Sequence, residues 1–132
     1  MDMMTPDLWA VVATLFLAMV QIGAQSFAMV KQAGGRWVAG PRDTPFEPKG
    51  VGGRLVRAHR NLLEILPQFF AAVIVVHLAG ANGDLSSFGS WLFVISRILY
   101  VPAYAWGPIG LRPLCWQGGQ IGILLVLSDL IF

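Results

Sequence analysis

The sequence predicts an all-α integral membrane protein, a four-transmembrane-helix bundle with its N- and C-termini on the non-cytoplasmic side. Three observations carry that prediction. The chain of 132 residues is 56% hydrophobic and only 12% charged, with a mean hydropathy of +0.67. Charged residues make up about a quarter of a typical soluble domain, so a soluble fold of this size could not cover so much apolar surface. The apolar residues fall into four runs between polar or Gly/Pro-rich stretches, each near the ~20 residues that a hydrocarbon core requires. The basic residues are distributed asymmetrically, as positive-inside sorting demands.

The length suits a single domain, 1–132. The first span covers about 8–30. Its flank carries Asp2 and Asp7 and no basic residue, unlike the positive start of a signal peptide. Gln21 and Gln25 are four apart and share one face, which suits hydrogen bonding to neighbouring helices. Residues 31–53 read as a cytoplasmic loop, with Gly34, Gly35, Gly40, Gly50, Gly52, Gly53, Pro41, Pro45 and Pro48 too dense for a regular element. Its glycine pairs are not phosphate cradles, because no strand precedes them and no Gly-Lys-Ser/Thr follows.

The second span covers about 54–78, with Pro67 expected to kink it. The turn Ala79-Gly80-Ala81-Asn82-Gly83-Asp84 reverses the chain. The third span covers about 88–106, a short loop with Arg112 follows, and the fourth covers about 114–132. Gly118 and Gly122 form a small-xxx-small pair there, a mark of close helix packing. Trp9, Trp37, Trp91, Trp106 and Trp116 lie near span ends or in the adjoining loop, as an interfacial belt requires. Lys31, Arg36, Arg42, Lys49, Arg54, Arg57, Arg60 and Arg112 place the first and third loops in the cytoplasm.

Composition also excludes functions. A net charge of +2 is too small for a nucleic-acid partner, and the single Cys115 excludes an internal disulfide or a cysteine cluster. His59 and His77 alone make a poor metal set, so no metal is expected. His59, His77 and Cys115 read as packing or interfacial groups and Asp129 as solvated. A channel or transporter would need polar residues along the whole depth of a helix, whereas Phe69 to Val76 is wholly apolar.

The chemistry concentrates at the cytoplasmic ends of the second and third spans. Arg57, Arg60, Asn61 and Glu64 fall at i, i+3, i+4 and i+7, one helical face, and are expected to point into the bundle or a cavity. Arg97, Tyr100 and Tyr104 repeat the pattern on the third span. Glu64 lies about 15 Å and Arg97 about 14 Å from the cytoplasmic ends, which predicts a structural ion pair between them. Arg54, nearest the surface, is expected to anchor on lipid phosphates. Arg57, Arg60, Asn61 and Arg112 beside Tyr100 and Tyr104 suit a small, multiply anionic, water-soluble ligand, since guanidinium forks grip carboxylates.

These residues resemble the MAPEG family, the membrane-associated proteins of eicosanoid and glutathione metabolism. Arg57-Ala58-His59-Arg60-Asn61, followed by Glu64 and Pro67, is similar to the second-helix signature of its microsomal glutathione transferase and prostaglandin E synthase branch. Gly40-Pro41-Arg42-Asp43-Thr44-Pro45 is similar to the loop of short bacterial members, and the run from Arg97 to Tyr104 followed by Arg112 also fits. The resemblance spans essentially the whole chain.

It implies a homotrimer in a bacterial inner membrane, among membrane lipids, with glutathione as cosubstrate between subunits near the cytoplasmic side. Arg57, Arg60, Asn61, Glu64, Tyr100 and Trp116 would bind glutathione. Arg112 and Tyr104 would be catalytic, activating its thiol for attack on a lipophilic electrophile or hydroperoxide. The arginine is matched only across a one-residue gap and could come from a neighbouring subunit. Tyr100 replaces a histidine, Pro113 a serine and Trp116 a tyrosine of the prostaglandin synthase, so isomerase activity is not expected. The alternative is a non-catalytic member of the same fold that binds a lipophilic or anionic ligand.

Overall fold

The computed structural model describes residues 3–132, all helix apart from the connections; Asp2 of the acidic flank lies outside them. Helix α1 (Pro6–Ala33) begins where Thr5 Oγ1 accepts the Leu8 N–H at 3.4 Å and Pro6 fills the first turn, where its missing N–H loses no partner. It ends at Gly34, whose φ of 90° takes the chain out of the helix. Helix α2 (Gly35–Ala39) is a single short turn of helix, and α3 (Gly50–Leu78), α4 (Asp84–Trp106) and α5 (Leu111–Ser128) follow. Helix α3 runs unbroken through Pro67.

Three of these helices, α1, α3 and α4, are long and apolar enough to cross a membrane. Their outward surfaces are apolar too: Phe16, Met19 and Phe27 on α1 are all more than half exposed, a surface that lipid rather than water would cover. Helix α5 has 18 residues, about 27 Å of helix, and carries Arg112, Gln117 and Gln120. It starts earlier than the expected fourth span and stops at Ser128. Asp129 ends it, and is not simply solvated as expected: its Oδ2 accepts the Ser86 backbone N–H at 2.7 Å, capping α4 from across the fold.

The expected loop 31–53 is partly helical. Its glycines mark helix boundaries rather than a continuous irregular stretch. Gly34 and Gly50 have φ of 90° and 63°, and Gly52 and Gly53 sit in the first turn of α3, where the Gly53 N–H donates to the Lys49 carbonyl at 3.2 Å. Gln32 closes the connection: its amide donates to the Lys49 carbonyl at 2.9 Å and accepts the Lys49 N–H at 2.8 Å.

Helix α1 packs on α3 and α4, α3 also touches α5, and α4 runs along α5. Leu62, Phe69, Val73, Phe93 and Val126 are fully buried at the centre, with Phe69 and Phe93 stacked at 4.0 Å. The α4–α5 contact is closest at Gly89 and Gly122. A Cβ on Gly122 would lie 2.6 Å from the Gly89 carbonyl oxygen, and one on Gly89 2.5 Å from that of Gly122. Gly118, one turn earlier, makes room for Ser96, so the small-xxx-small pair faces α4.

At the end away from the arginines, a polar knot ties the helices together. Asp7 is fully buried. Its carboxylate accepts from Asn82 Nδ2, from Ser86 Oγ at 3.2 Å and from Ser90 Oγ at 3.1 Å. The knot links the first turn of α1 to α4 and the turn before it. Asp7→Ala takes the acceptor from the buried Ser90 hydroxyl and the half-buried Asn82 amide, while Ser86 Oγ keeps the Gly83 carbonyl, at a cost of about 2–3 kcal/mol. A clear drop in the thermal midpoint of the detergent-solubilised protein is expected; an unchanged midpoint would refute the role.

Candidate functional site

The α4 residues Arg97, Tyr100 and Tyr104 form a ladder from the interior to the surface. Arg97 is 1% exposed and Tyr100 is equally buried. The Arg97 guanidinium lies 4.1 Å from the Tyr100 ring centroid, and its Nη1 donates to Asn61 Oδ1 of α3 at 2.9 Å. Tyr100 then meets Tyr104 edge-on, with centroids 5.8 Å apart. Each step uses the i, i+3, i+7 spacing that puts these side chains on one stripe.

Tyr104 stands at the top of the ladder between two guanidiniums. Arg57 Nε of α3 donates to its hydroxyl oxygen at 3.0 Å, and the Arg57 guanidinium lies 5.7 Å from the ring. Arg112, from the first turn of α5, lies 4.9 Å from the same ring. All three groups come from one chain, so the neighbouring subunit allowed for above is not needed to bring Arg112 here. Tyr104, Arg112, Pro113 and the Gly107–Gly110 loop line a cavity of about 260 Å³. The Gly110 φ of 99° turns the chain back so that α5 can start beside it.

The electrostatics of this corner are one-sided, because no carboxylate shares the cavity lining with Arg112. The Tyr104 oxygen already accepts from Arg57, so its own proton is free to be donated into the cavity. Arg112 and a hydroxyl donor in a lining without a carboxylate, with Arg57 bonded to that hydroxyl from outside the lining, make a receptor for negative charge. A second cavity of about 300 Å³, lined by Leu99, Pro102, Trp106, Leu111 and Cys115, shares the walls Ala103 and Gly107 with the first. A cationic pocket and an apolar one thus meet across α4.

The sequence-predicted residues divide in the structure. Arg57, Tyr104 and Arg112 are brought together. The Glu64–Arg97 ion pair does not form: Arg97 takes Asn61 as its partner, and Glu64 is exposed. The azimuth of Glu64 on α3 is what rules the pair out. Helix α3 buries the stripe of Ala58, Leu62, Ile65 and Phe69. At about 100° per residue, Asn61 borders that stripe while Glu64 is turned away from it.

For the same reason the Arg57, Arg60, Asn61 and Glu64 face does not point into the chain's own bundle. Arg57, Arg60 and Glu64 are exposed and Asn61 is half-buried. Arg60 lines a different cleft, with Gln25, Arg42 and Glu47. Tyr100, expected to touch ligand, is instead buried beneath Arg97 and Tyr104. Trp116 is 41% exposed on α5 and does not line the Tyr104 cavity. Arg54 is tied inward rather than to lipid: its Nη1 donates to the Ala105 carbonyl, one of the unpaired carbonyls at the end of α4. The apolar cavity at Cys115 was not foreseen, because its walls come from residues whose types mark only packing.

One family model matches the chain, that of the MAPEG family, over residues 7–132. No curated protein matches it.

Proposed function

The chain belongs to the MAPEG family, and from that premise we propose a glutathione-dependent transferase or peroxidase that acts on lipophilic electrophiles or hydroperoxides. The observation that carries the reading is Tyr104, its hydroxyl bonded by Arg57 and its ring beside Arg112, at a cavity whose lining holds no carboxylate. Glutathione supplies the sulfur nucleophile. A free thiol of pKa about 8.5 is mostly protonated at neutral pH. Arg112 places positive charge where the thiolate forms, and Tyr104 directs its free proton to the same point. Arg57 holds a carboxylate. The apolar cavity at Leu99, Trp106 and Cys115 holds the lipophilic partner against the shared wall.

The same reading has all four long helices crossing a bacterial inner membrane with both termini on the non-cytoplasmic side. It also has the chain working as a homotrimer. Glu64 supports the trimer: it is exposed on a helix apolar enough to span, and charge facing lipid is costly. A second copy would cover that face, with Asn61 and Glu64 completing the glutathione contacts from its edge.

The test is turnover of glutathione with a model electrophile and with a lipid hydroperoxide, using detergent-solubilised protein. Turnover is expected for the wild type, and Arg57→Gln should raise the KM for glutathione about tenfold with a smaller change in kcat. Glutathione bound without turnover of either substrate would overturn the enzyme reading in favour of a binding protein.

A further inference from the structure

Gln21 of α1 is 4% exposed, and its amide oxygen Oε1 has no hydrogen-bond donor among the described residues. Gln25, one turn further on, does not serve it, because its own Nε2 donates to Ser26 Oγ at 3.2 Å. An amide oxygen buried without a donor is costly, and buried polar groups in folded proteins nearly always have a partner. The acyl chains of a bilayer have no donor to offer.

Gln21 lines a cavity of about 290 Å³. Leu17 and Ala24 flank it on α1, Leu55 closes the cavity from α3, and Ile98 and Pro102 wall it from α4. Ile98 and Pro102 are exposed on a helix apolar enough to span, so the cavity opens on a surface that lipid would cover. The α4 wall also lacks a donor. Pro102 lies inside α4 and has no N–H, so the helical bond it would give to the Ile98 carbonyl is missing. The cavity shares no lining residue with the Tyr104 cavity.

The lining has no ionisable side chain and a single amide. A charged ligand would find no counter-charge there, and a pure hydrocarbon would leave Gln21 unsatisfied. We propose that the cavity binds an uncharged lipophilic alcohol, its hydroxyl donating to Gln21 Oε1 and its carbon chain lying among Leu17, Leu55 and Ile98. The terminal torsion of a glutamine is soft, so the amide turns to meet the hydroxyl, and its N–H group can donate in return. A dry cavity of about 150 Å³ takes up a benzene ring, and nearly twice that volume suits an alcohol of medium chain length.

The probe is decanol carrying a diazirine near the end of its chain. It is added to the full-length protein in lipid nanodiscs, irradiated, and located by mass spectrometry. Saturable labelling is expected at the α1 and α4 residues of this cavity. Unlabelled decanol should compete about tenfold better than a methyl ether of the same length, which accepts a hydrogen bond but cannot donate one. Gln21→Leu should bring the two competitors level, and Ala24→Leu, which fills the cavity, should abolish the labelling. Gln21→Leu removes a buried, unpaired oxygen, so it should fold at least as stably as the wild type; circular dichroism checks both variants. Equal competition by alcohol and ether, or a preference that survives Gln21→Leu, would overturn the proposal. So would the absence of saturable labelling in the wild type, which would mean that a second copy of the chain or an acyl chain fills the groove. The readout is binding rather than turnover, so either result leaves the glutathione reading to its own test.

Discussion

Arg112→Ala is expected to lower kcat for glutathione conjugation about a hundredfold, the usual cost of removing one preorganised group from a developing negative charge. Glutathione affinity should fall far less, because Arg57 keeps its hydrogen bond to Tyr104 and its hold on a carboxylate. Adding glutathione to the wild type should raise the ultraviolet absorption of thiolate, and the variant should show no such rise. Arg112→Lys, which keeps the charge but not the fork, should recover part of the rate. The side chain is exposed at the mouth of the cavity, so its truncation should leave folding intact and the kinetic effect can be read directly. Unchanged turnover would remove Arg112 from the chemistry while leaving the binding role of Arg57 standing.

Gly122→Ala is expected to cost about 2–3 kcal/mol of stability from overpacking alone. The added Cβ would meet the Gly89 carbonyl oxygen at 2.6 Å and the Phe93 N at 2.9 Å. Both are backbone atoms, so no side chain can rotate away, and α4 and α5 must separate. Gly122→Leu should prevent a stable fold. The control is Gly23→Ala on α1, where a Cβ would meet nothing within 4 Å. There the higher helix propensity of alanine should give a neutral or slightly stabilising change. Thermal unfolding in one detergent compares the three variants. A Gly122→Ala midpoint equal to that of Gly23→Ala would contradict the close approach described above.

The sequence was most informative where the physics has a period or a length. Apolar runs gave the helices, because bilayer thickness fixes how many residues a span needs. The spacing of Arg97, Tyr100 and Tyr104 gave the ladder, because it is local to one helix. The meeting of Arg57, Tyr104 and Arg112 was legible because all three fall at the same end of their spans, and the family resemblance pointed to it as well. The Glu64–Arg97 pair failed on orientation. Two residues at equal depth on adjacent helices pair only if both face the contact, and azimuth depends on which stripe of α3 is buried. Asp7 looked like an ordinary acidic N-terminal flank, and nothing local marked the partners it finds in Asn82, Ser86 and Ser90. Gly89 was likewise invisible, because a lone glycine in a helix shows a close approach only once its opposite number is known.

The two hydrogen bonds between Gln32 and Lys49 make the intervening segment a closed ring with a fixed neck. Loop-closure cost grows only slowly with length, so residues could be inserted or removed inside the ring without moving α1 relative to α3. The membrane helices and the Tyr104 cavity would then stay constant while Arg42 and Glu47 changed. In such a layout, exchange of one short cassette would alter the surface that Arg42 and Glu47 present and leave the arrangement around Tyr104 in place.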